Sequence, residues 1–300
     1  MNARTPVRVE QGPDAGAVWH YGDPFAEQRA LADGRAAVDL SHRPVLRVGG
    51  PDRLDWLHSL TSQHLTELAP GQLTQALILS PHGHVEHHLV LVDDGAAVLA
   101  HVEPGTLPAL LDYLRSMVFW SQVEPADASA DWGVVRDRDG DRFVPRADVP
   151  AVLARYESVA GMWAAEALRV EAGLPRLGFE TDHRTIPAEV GWVGPAVHLD
   201  KGCYRGQETV ARVHNLGRPP RRLVRLHLDG SDAVLPEHGD PVVVDDRAVG
   251  FVGTAVRHHE LGPVALALVK RTVAAAEPLV AGAEGRAVAA ALEDVVPAGR

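Results

Sequence analysis

Cysteine is nearly absent from this chain of 300 residues, which contains a single one, Cys203. One cysteine cannot form a disulfide within the chain, and it cannot supply the several thiolates of a cysteine-rich zinc site. A free thiol is typical of proteins that are kept in a reducing compartment. We therefore expect a cytoplasmic protein whose stability does not depend on covalent cross-links.

Long apolar segments are lacking as well. No apolar run approaches the roughly 18 residues that a membrane-spanning helix needs. The N-terminal sequence MNARTP has no hydrophobic stretch of the kind found in signal peptides. A membrane partner is therefore not expected. The apolar fraction of 46% is that of an ordinary globular protein, and 300 residues suffice for two or three packed units.

Positive charge is scarce overall but locally concentrated. The formal net charge is −11, which argues against a stable nucleic-acid partner. Residues 201–225 nevertheless hold seven cations and only one anion, Glu208. This basic segment is either an ordinary solvated face or a local site for an anion, such as a polyglutamyl tail or a phosphate backbone. Its cations are Lys201, Arg205, Arg212, Arg218, Arg221, Arg222 and Arg225.

Motifs of several common enzyme classes are missing. The sequence contains no H-E-x-x-H, Walker or G-x-G-x-x-G pattern. Zinc protease, nucleotide hydrolase and dinucleotide-binding functions therefore have no support. Whether the chain is an enzyme at all stays open at this point.

The hydrophobic pattern of the first half predicts strands and helices in a β-helix-β-β-helix-β order. An amphipathic helix is predicted over 106–118, where leucines recur at helical spacing. Further helices are predicted over 25–37 and 148–159, and strands over 73–79 and 84–92. Antiparallel hairpins mixed with helices indicate an α+β class rather than a doubly wound sheet.

After Pro219-Pro220, the best linker candidate, the pattern changes to short strands separated by glycine and aspartate turns. Strands are predicted over 223–228, 241–244, 248–256 and 263–269. Such a series is typical of a small β-barrel. We therefore predict an α+β domain with two subdomains over residues 1–218 and a C-terminal β-barrel domain over residues 219–300.

The segment around the only cysteine is Lys201-Gly202-Cys203-Tyr204-Arg205-Gly206-Gln207-Glu208-Thr209. The two glycines allow a tight bend or the close approach of a ligand, and the two neighbouring cations would favour an ionised thiolate. Lone cysteines are more often small buried residues. The polar neighbours indicate instead an accessible thiol that serves as a nucleophile, a redox group or a ligand. One cysteine cannot hold an iron–sulfur cluster alone.

This segment resembles the motif K-G-C-Y/F-x-G-Q-E of the YgfZ family, with every defined position present. These proteins are folate-binding relatives of the glycine cleavage T-protein, the aminomethyltransferase, and are associated with iron–sulfur cluster assembly and repair. Other segments similar to the family are residues 38–43, 46–52, 168–176, 185–189, 239–241, 249–250 and 265–269. The resemblance implies a ring of three subdomains with folate at its centre and a small C-terminal β-barrel.

The function that the resemblance implies is folate binding in support of iron–sulfur cluster assembly or repair. The cofactor would be tetrahydrofolate or another reduced folate, and the partners would be iron–sulfur assembly or client proteins. A second hypothesis is a folate-dependent one-carbon enzyme, either an aminomethyltransferase or a demethylase-like protein. A third is a binding module with a structural cysteine. The residues predicted to act are the thiol of Cys203 and, for folate, Glu171, Arg169, Tyr204, Gln207 and Glu208.

Glu171 is the best candidate for the pterin, because a carboxylate can accept two hydrogen bonds from the N–H groups of the ring. Its alternative role is a surface acid paired with Arg169. Trp163 could stack on the ring or belong to the core. His258 is expected to lie in a solvated turn, and His198 and His214 are near enough in sequence to Cys203 to be checked as its partners.

One departure from the aminomethyltransferase pattern bears on the reaction. His87 and His88 occupy the strand positions where true aminomethyltransferases carry a catalytic aspartate pair. Without a carboxylate the transfer of an aminomethyl group loses its obvious acid or base. His84, Glu86 and His88 alternate along the same strand, so they form either a polar outer face or a row that binds a metal or moves protons.

Overall fold

The structure is a computed structural model, and it describes residues 5–217, 219–231 and 234–298. The chain divides into two compact units, each built from segments that are distant in sequence. The first unit comprises the chain up to Leu79, Glu86–Ala165 and Pro195–Arg205, and the second comprises Ser80–Val85, Glu166–Gly194 and the chain from Gly206 onward. The domain boundary predicted between residues 218 and 219 stays a prediction.

The helices are short and lie mostly before the C-terminal strands. They are α1 (Pro24–Ala32), α2 (Arg53–Leu60), α3 (Leu107–Ser116), α4 (Val149–Leu153), α5 (Met162–Glu171) and α6 (Gln207–Leu216), with single 3₁₀ turns at Arg146–Asp148 and Pro187–Glu189.

The strands before residue 165 belong mainly to the first unit. They are β1 (Val7–Arg8), β2 (Val18–His20), β3 (Ala36–Asp39), β4 (Val45–Gly49), β5 (Thr74–Leu79), β6 (Val85–Asp93), β7 (Ala97–His101), β8 (Glu124–Asp127), β9 (Trp132–Asp137), β10 (Gly140–Pro145) and β11 (Ser158–Ala160).

A five-stranded sheet in the order β5-β6-β7-β4-β8 forms the larger core of the first unit. Leu107, Leu110, Leu111 and Leu114 of α3 are buried in that core, because their spacing places them on one face of the helix. Trp56 of α2 packs there too. Burial of each leucine side chain contributes roughly 1.5–3 kcal/mol to the stability of the fold, so α3 packs firmly on the sheet.

A four-stranded sheet in the order β10-β9-β3-β11 is the other sheet of this unit. The strands β3 and β11 run parallel, and the remaining pairs are antiparallel. Its small core contains Ala37, Val135, Val144 and Val149. The helices observed within 25–37 and 148–159 are shorter than predicted. The last residues of these segments lie in the strands β3 and β11. Gly34 turns the chain between α1 and β3 with a φ of 75°.

The second unit contains a closed barrel in the order β12-β15-β14-β13-β16-β17. Val224, Val252 and Ala267 are among the fully buried residues inside it. The strands are β12 (Arg221–Leu228), β13 (Pro241–Val244), β14 (Arg247–His258), β15 (Gly262–Lys270), β16 (Leu279–Ala281) and β17 (Val288–Asp294).

The α+β class and the C-terminal barrel predicted from the sequence are confirmed. The sequence pattern missed β16 and β17, which close the barrel, and the helix α6. Within the part of the chain that the structure describes, no helix has the length and apolar character needed to cross a bilayer.

Candidate functional site

Lys201 anchors the segment that carries the cysteine. Its ammonium group donates to the carbonyl oxygens of His58 and Thr61, which lie at the C-terminal end of α2. Carbonyls at a helix end lack helical partners and carry partial negative charge, so a cation suits them. Burial lowers the pKa of Lys201 to about 8. The lysine therefore holds the backbone of this segment to the first unit.

Only one of the two glycines in the motif is required by the backbone. Gly206 has a φ of 84°, and a Cβ there would lie 2.6 Å from the carbonyl oxygen of Ser80. A side chain at Gly206 would therefore clash and be strained. Gly202 has neither a positive φ nor a neighbour within 4 Å of such a Cβ. The close approach predicted from the glycines is found at Gly206, where the approaching group is the protein backbone at Ser80.

Cys203 is exposed, as its polar neighbours predicted. The two cations beside it in sequence, Lys201 and Arg205, interact with other groups. Lys201 binds the end of α2, and Arg205 Nη2 lies 3.0 Å from Glu86 Oε1. The guanidinium of Arg205 also lies 5.5 Å from the ring centroid of Tyr113. The positive charge expected to favour the thiolate is therefore directed at other groups.

The remaining predicted residues of the motif lie in different surroundings. Tyr204 is half-buried, and Lys201 Nζ lies 4.9 Å from the centroid of its ring. Burial raises the pKa of the Tyr204 hydroxyl. Gln207 and Glu208 form the first turn of α6. The Glu208 carboxylate is exposed and lies 3.2 Å from Arg212 one turn later. Glu208 is thus free to turn toward a ligand at little cost, since exposed pairs contribute only about 0–1 kcal/mol.

His87 and His88 are adjacent on β6 and project to opposite faces of the sheet. Burial lowers the pKa of each to about 4, and for His87 the charge of Arg205 adds to the effect. His88 Nε2 lies 2.9 Å from Gln75 Oε1. Both imidazoles are therefore neutral near pH 7, and neither supplies the negative charge of a carboxylate.

The second unit contains a buried ionic network centred on Arg169. Its guanidinium donates to Glu166, to Glu180 and, at 2.6 Å, to the hydroxyl of Thr254. Arg176 lies 3.2 Å from Glu166 and extends the network. These side chains are almost fully buried, and breaking such a pair typically costs about 3–5 kcal/mol. Arg169 thus fixes α5 against the loop that follows it and the barrel strand β14.

Glu171, at the end of α5, is partly exposed and does not pair with Arg169. Its Oε2 lies 3.2 Å from His258 Nε2, and its carbonyl oxygen accepts a hydrogen bond from Arg225. The prediction that His258 lies in a solvated turn is wrong, since its side chain is completely buried at the end of β14. Burial lowers its pKa, which the neighbouring carboxylate opposes.

The C-terminal part of the basic segment, from Arg221 to Arg225, is neither a solvated face nor an open anion site. Arg221 pairs with Asp182 and Glu189, and although burial opposes it, the hydrogen bond from Arg221 lowers the pKa of Asp182. Arg222 is buried and donates to two carbonyl oxygens and Asp294. Arg225 pairs with Glu293. Arg218 lies outside the described residues.

Trp163 belongs to an aromatic cluster of the first unit. Its ring stacks on Trp19 at 5.4 Å between centroids, and Phe25 contacts it edge-on. This supports the core alternative over a stack on pterin.

A histidine-lined cavity of about 270 Å³ lies in the same unit. The ring of His64 is 5.5 Å from that of His198, so His198 contacts another histidine rather than the thiol. His214 is exposed on α6. The described residues contain no group of three side chains arranged to hold a metal ion.

Comparisons with known proteins give a consistent result. Residues 221–296 match the glycine cleavage T-protein C-terminal barrel domain. An aminomethyltransferase of Geobacillus kaustophilus is 40% identical, over 83% of this chain and 83% of its own length. A probable aminomethyltransferase of Natronomonas pharaonis is 27% identical over 97% of this chain and 99% of its own length.

A crystal structure of the glycine cleavage system aminomethyltransferase T from Bartonella henselae shares the fold. The TM-score is 0.77 over 95% of this chain and 92% of that chain, at 17% identity. The fold is therefore that of the T-protein, as the resemblance implied. On the identity and coverage of these relatives, the chain belongs to the aminomethyltransferase family.

Sequence reasoning missed two residues that shape the site. The anchoring role of Lys201 depends on carbonyl groups of residues 58 and 61, about 140 positions away, which no local pattern reveals. Arg205 was read only as a charge beside the thiol, whereas it reaches β6 and α3. The sequence signal that points to this part of the chain is the motif, which contains the lysine and the two glycines around the cysteine.

Proposed function

We propose that this protein binds a reduced folate, such as tetrahydrofolate, and acts in folate-dependent one-carbon chemistry. The observation that carries the proposal is the 40% identity, over 83% of both chains, to a protein named aminomethyltransferase. Two other relatives, one named aminomethyltransferase and one named probable aminomethyltransferase, agree with it. The proposed reaction is the transfer of a one-carbon group to or from the folate, by demethylation or by aminomethyl transfer from a donor other than the aminomethylated lipoyl carrier of glycine cleavage.

The proposed pterin ligand is Glu171. Its side chain is 44% exposed, so one carboxylate edge is open to a ligand while Oε2 lies beside His258. Arg169 has no comparable opening, because its donors are committed to Glu166, Glu180 and Thr254. We propose that Arg169 acts on folate binding indirectly, by holding α5 and therefore Glu171 in place. Tyr204, Gln207 and Glu208 remain proposed contacts on the folate.

Thermal unfolding tests folate binding directly. A ligand that binds only the native state raises Tm, by an amount that grows with its concentration. We expect tetrahydrofolate or 5-formyltetrahydrofolate to raise Tm, and an equal concentration of p-aminobenzoylglutamate, which lacks the pterin, to raise it less. No shift with any reduced folate would remove the proposal.

A second function is supported by the exposed thiol. Cys203 is accessible in a segment that matches K-G-C-Y/F-x-G-Q-E at every defined position. We propose that the chain also belongs with the YgfZ group and supports iron–sulfur cluster assembly or repair through this thiol, shared with a protein partner. The test is complementation: cells lacking the native copy should regain iron–sulfur enzyme activity with the wild-type chain and not with Cys203→Ser. Full recovery with Cys203→Ser would contradict this role.

A further inference from the structure

Among the buried polar atoms of the described residues that lack a hydrogen-bond partner, two belong to side chains near each other in the first unit, His87 Nδ1 and Arg205 Nε. Leaving such an atom unpaired costs free energy, and most buried polar atoms in native proteins are paired. Two of them on neighbouring groups therefore indicate that something other than this chain supplies their partners.

Two observations place His87 and Arg205 near each other, beside α3. His87 lies two residues before Leu89 on β6, so both side chains project to the face that packs on α3. Tyr113 of α3 packs against that core, and the Arg205 guanidinium lies 5.5 Å from its ring centroid. Arg205 is also near enough to contribute to the lowered pKa of His87.

The hydrogen-bonding chemistry of the two groups indicates which kind of ligand they can bind. The Nε–H of Arg205 can only donate, so it needs an acceptor. His87 is neutral near pH 7, and its Nδ1 can carry the proton and donate as well. Glu86 Oε1 lies 3.0 Å from Arg205 Nη2, and the Glu86 side chain is 38% exposed. Exposure to water screens its charge, so Arg205 retains attraction for a further anion.

We propose that Arg205 and His87 form a subsite for the carboxylate group of a ligand, beside the ring of Tyr113. A carboxylate offers two acceptor oxygens side by side, which suits two donors on neighbouring side chains, and its pairing with a guanidinium is among the stronger hydrogen bonds in proteins. The carboxylate comes either from a small one-carbon donor or from the glutamate portion of a folate. The subsite itself does not depend on folate binding.

The experiment is an NMR titration of the full chain labelled at arginine and histidine side chains, with formate as the probe. Formamide, which is nearly the same shape but uncharged, is the matched control. We expect formate to shift the Arg205 Nε–H and His87 imidazole signals in a saturable manner and formamide to leave them nearly unchanged. Equal shifts with both compounds, or shifts that never saturate, would overturn the proposal.

Variants locate the effect. Arg205→Lys keeps a positive charge and removes the Nε–H, and we expect it to weaken formate binding about tenfold or more. His87→Gln should weaken binding as well, and Arg212→Gln, an exposed arginine on α6, should not change it. Each variant is first checked for an unchanged thermal transition. Unchanged formate affinity in folded Arg205→Lys would exclude the subsite.

Tetrahydrofolate added to the same samples identifies the source of the carboxylate. Displacement of formate assigns the subsite to folate, and simultaneous binding assigns it to a separate small donor. If formate binds while no folate does, the proposed function fails and the subsite stands. If folate binds and formate does not, the subsite fails alone.

Discussion

Arg205 joins the segment that carries Cys203 to the strand β6, through a 3.0 Å ion pair with Glu86. Both side chains are about one third exposed, so the pair contributes only about 0–1 kcal/mol to stability. Its importance is geometric, because β6 also carries His87 and His88. Residues 201–205, which include Cys203, therefore belong to the same unit as His87 and His88 and are tied to their strand.

Removing the anchor of this segment should loosen it. In Lys201→Met the carbonyl oxygens of His58 and Thr61 lose their donor, at a cost of roughly 1–3 kcal/mol. We expect a lower free energy of unfolding and faster amide exchange over residues 201–205. Lys270→Met, which changes an exposed lysine, is the control. Equal exchange in both variants would show that Lys201 does not hold the segment.

Acid should destabilise the protein between about pH 6.5 and pH 4. The folded-state pKa values of His87 and His88 are lowered to about 4, from 6.5. Over that interval the unfolded chain binds protons that the folded chain does not, so stability falls as pH falls. A fully desolvated histidine contributes up to roughly 3 kcal/mol to this loss.

The measurement is urea unfolding at several pH values. His88→Gln should flatten the decline of unfolding free energy with falling pH, because one titrating group is gone. His214→Gln, at an exposed position on α6, should leave the slope as in the wild type. An unchanged slope in His88→Gln would mean that His88 is already protonated in the folded state near pH 6.

Glycine cleavage activity should be weak or absent. Near pH 7 the two histidines are neutral and provide no carboxylate beside the reacting amine. We expect no ammonia release from an aminomethylated lipoyl carrier in the presence of tetrahydrofolate. Restoring the acids in His87→Asp/His88→Asp tests the reason for this. Turnover by the wild type at ordinary enzyme rates would contradict the prediction.

Loss of the thiol should leave the fold intact. Cys203 is exposed, so Cys203→Ser removes little packing, and the free energy of unfolding should change by less than about 0.5 kcal/mol. The wild-type thiol should react completely with iodoacetamide under native conditions. Incomplete labelling together with a strongly destabilised Cys203→Ser would indicate a buried, structural cysteine.

Local patterns predicted the elements whose partners are near in sequence. The leucines of α3 recur at helical spacing, and each predicted barrel strand has its counterpart in the structure. Long-range pairing could not be predicted. Arg221 finds its carboxylates at residues 182 and 189, so a run that reads as a basic surface is instead paired within the second unit. The helix α6 was missed because it begins inside the motif, directly after Gly206.

The sequence predicted individual residues of the candidate site but not which residues pair with each other. The motif correctly indicated an accessible thiol at Cys203. The alternative role predicted for Glu171, a surface acid paired with Arg169, followed from their proximity on one helix. In the structure His258, nearly 90 residues later, lies beside Glu171, while Arg169 turns to Glu166 and Glu180. Such a choice among partners depends on which groups are buried together, and that is set by the whole fold.

Calorimetric titration shows whether this protein binds a reduced folate with Glu171 at the pterin. We expect tetrahydrofolate to bind the wild type, and Glu171→Ala to weaken binding by roughly 1.5–3 kcal/mol, the contribution of hydrogen bonds to a charged group. Glu277→Ala, an exposed acid of the same unit, should bind as the wild type does. Absence of binding heat with every reduced folate would mean that the protein does not bind folate, and equal affinities in Glu171→Ala and Glu277→Ala would mean that Glu171 does not contact the pterin.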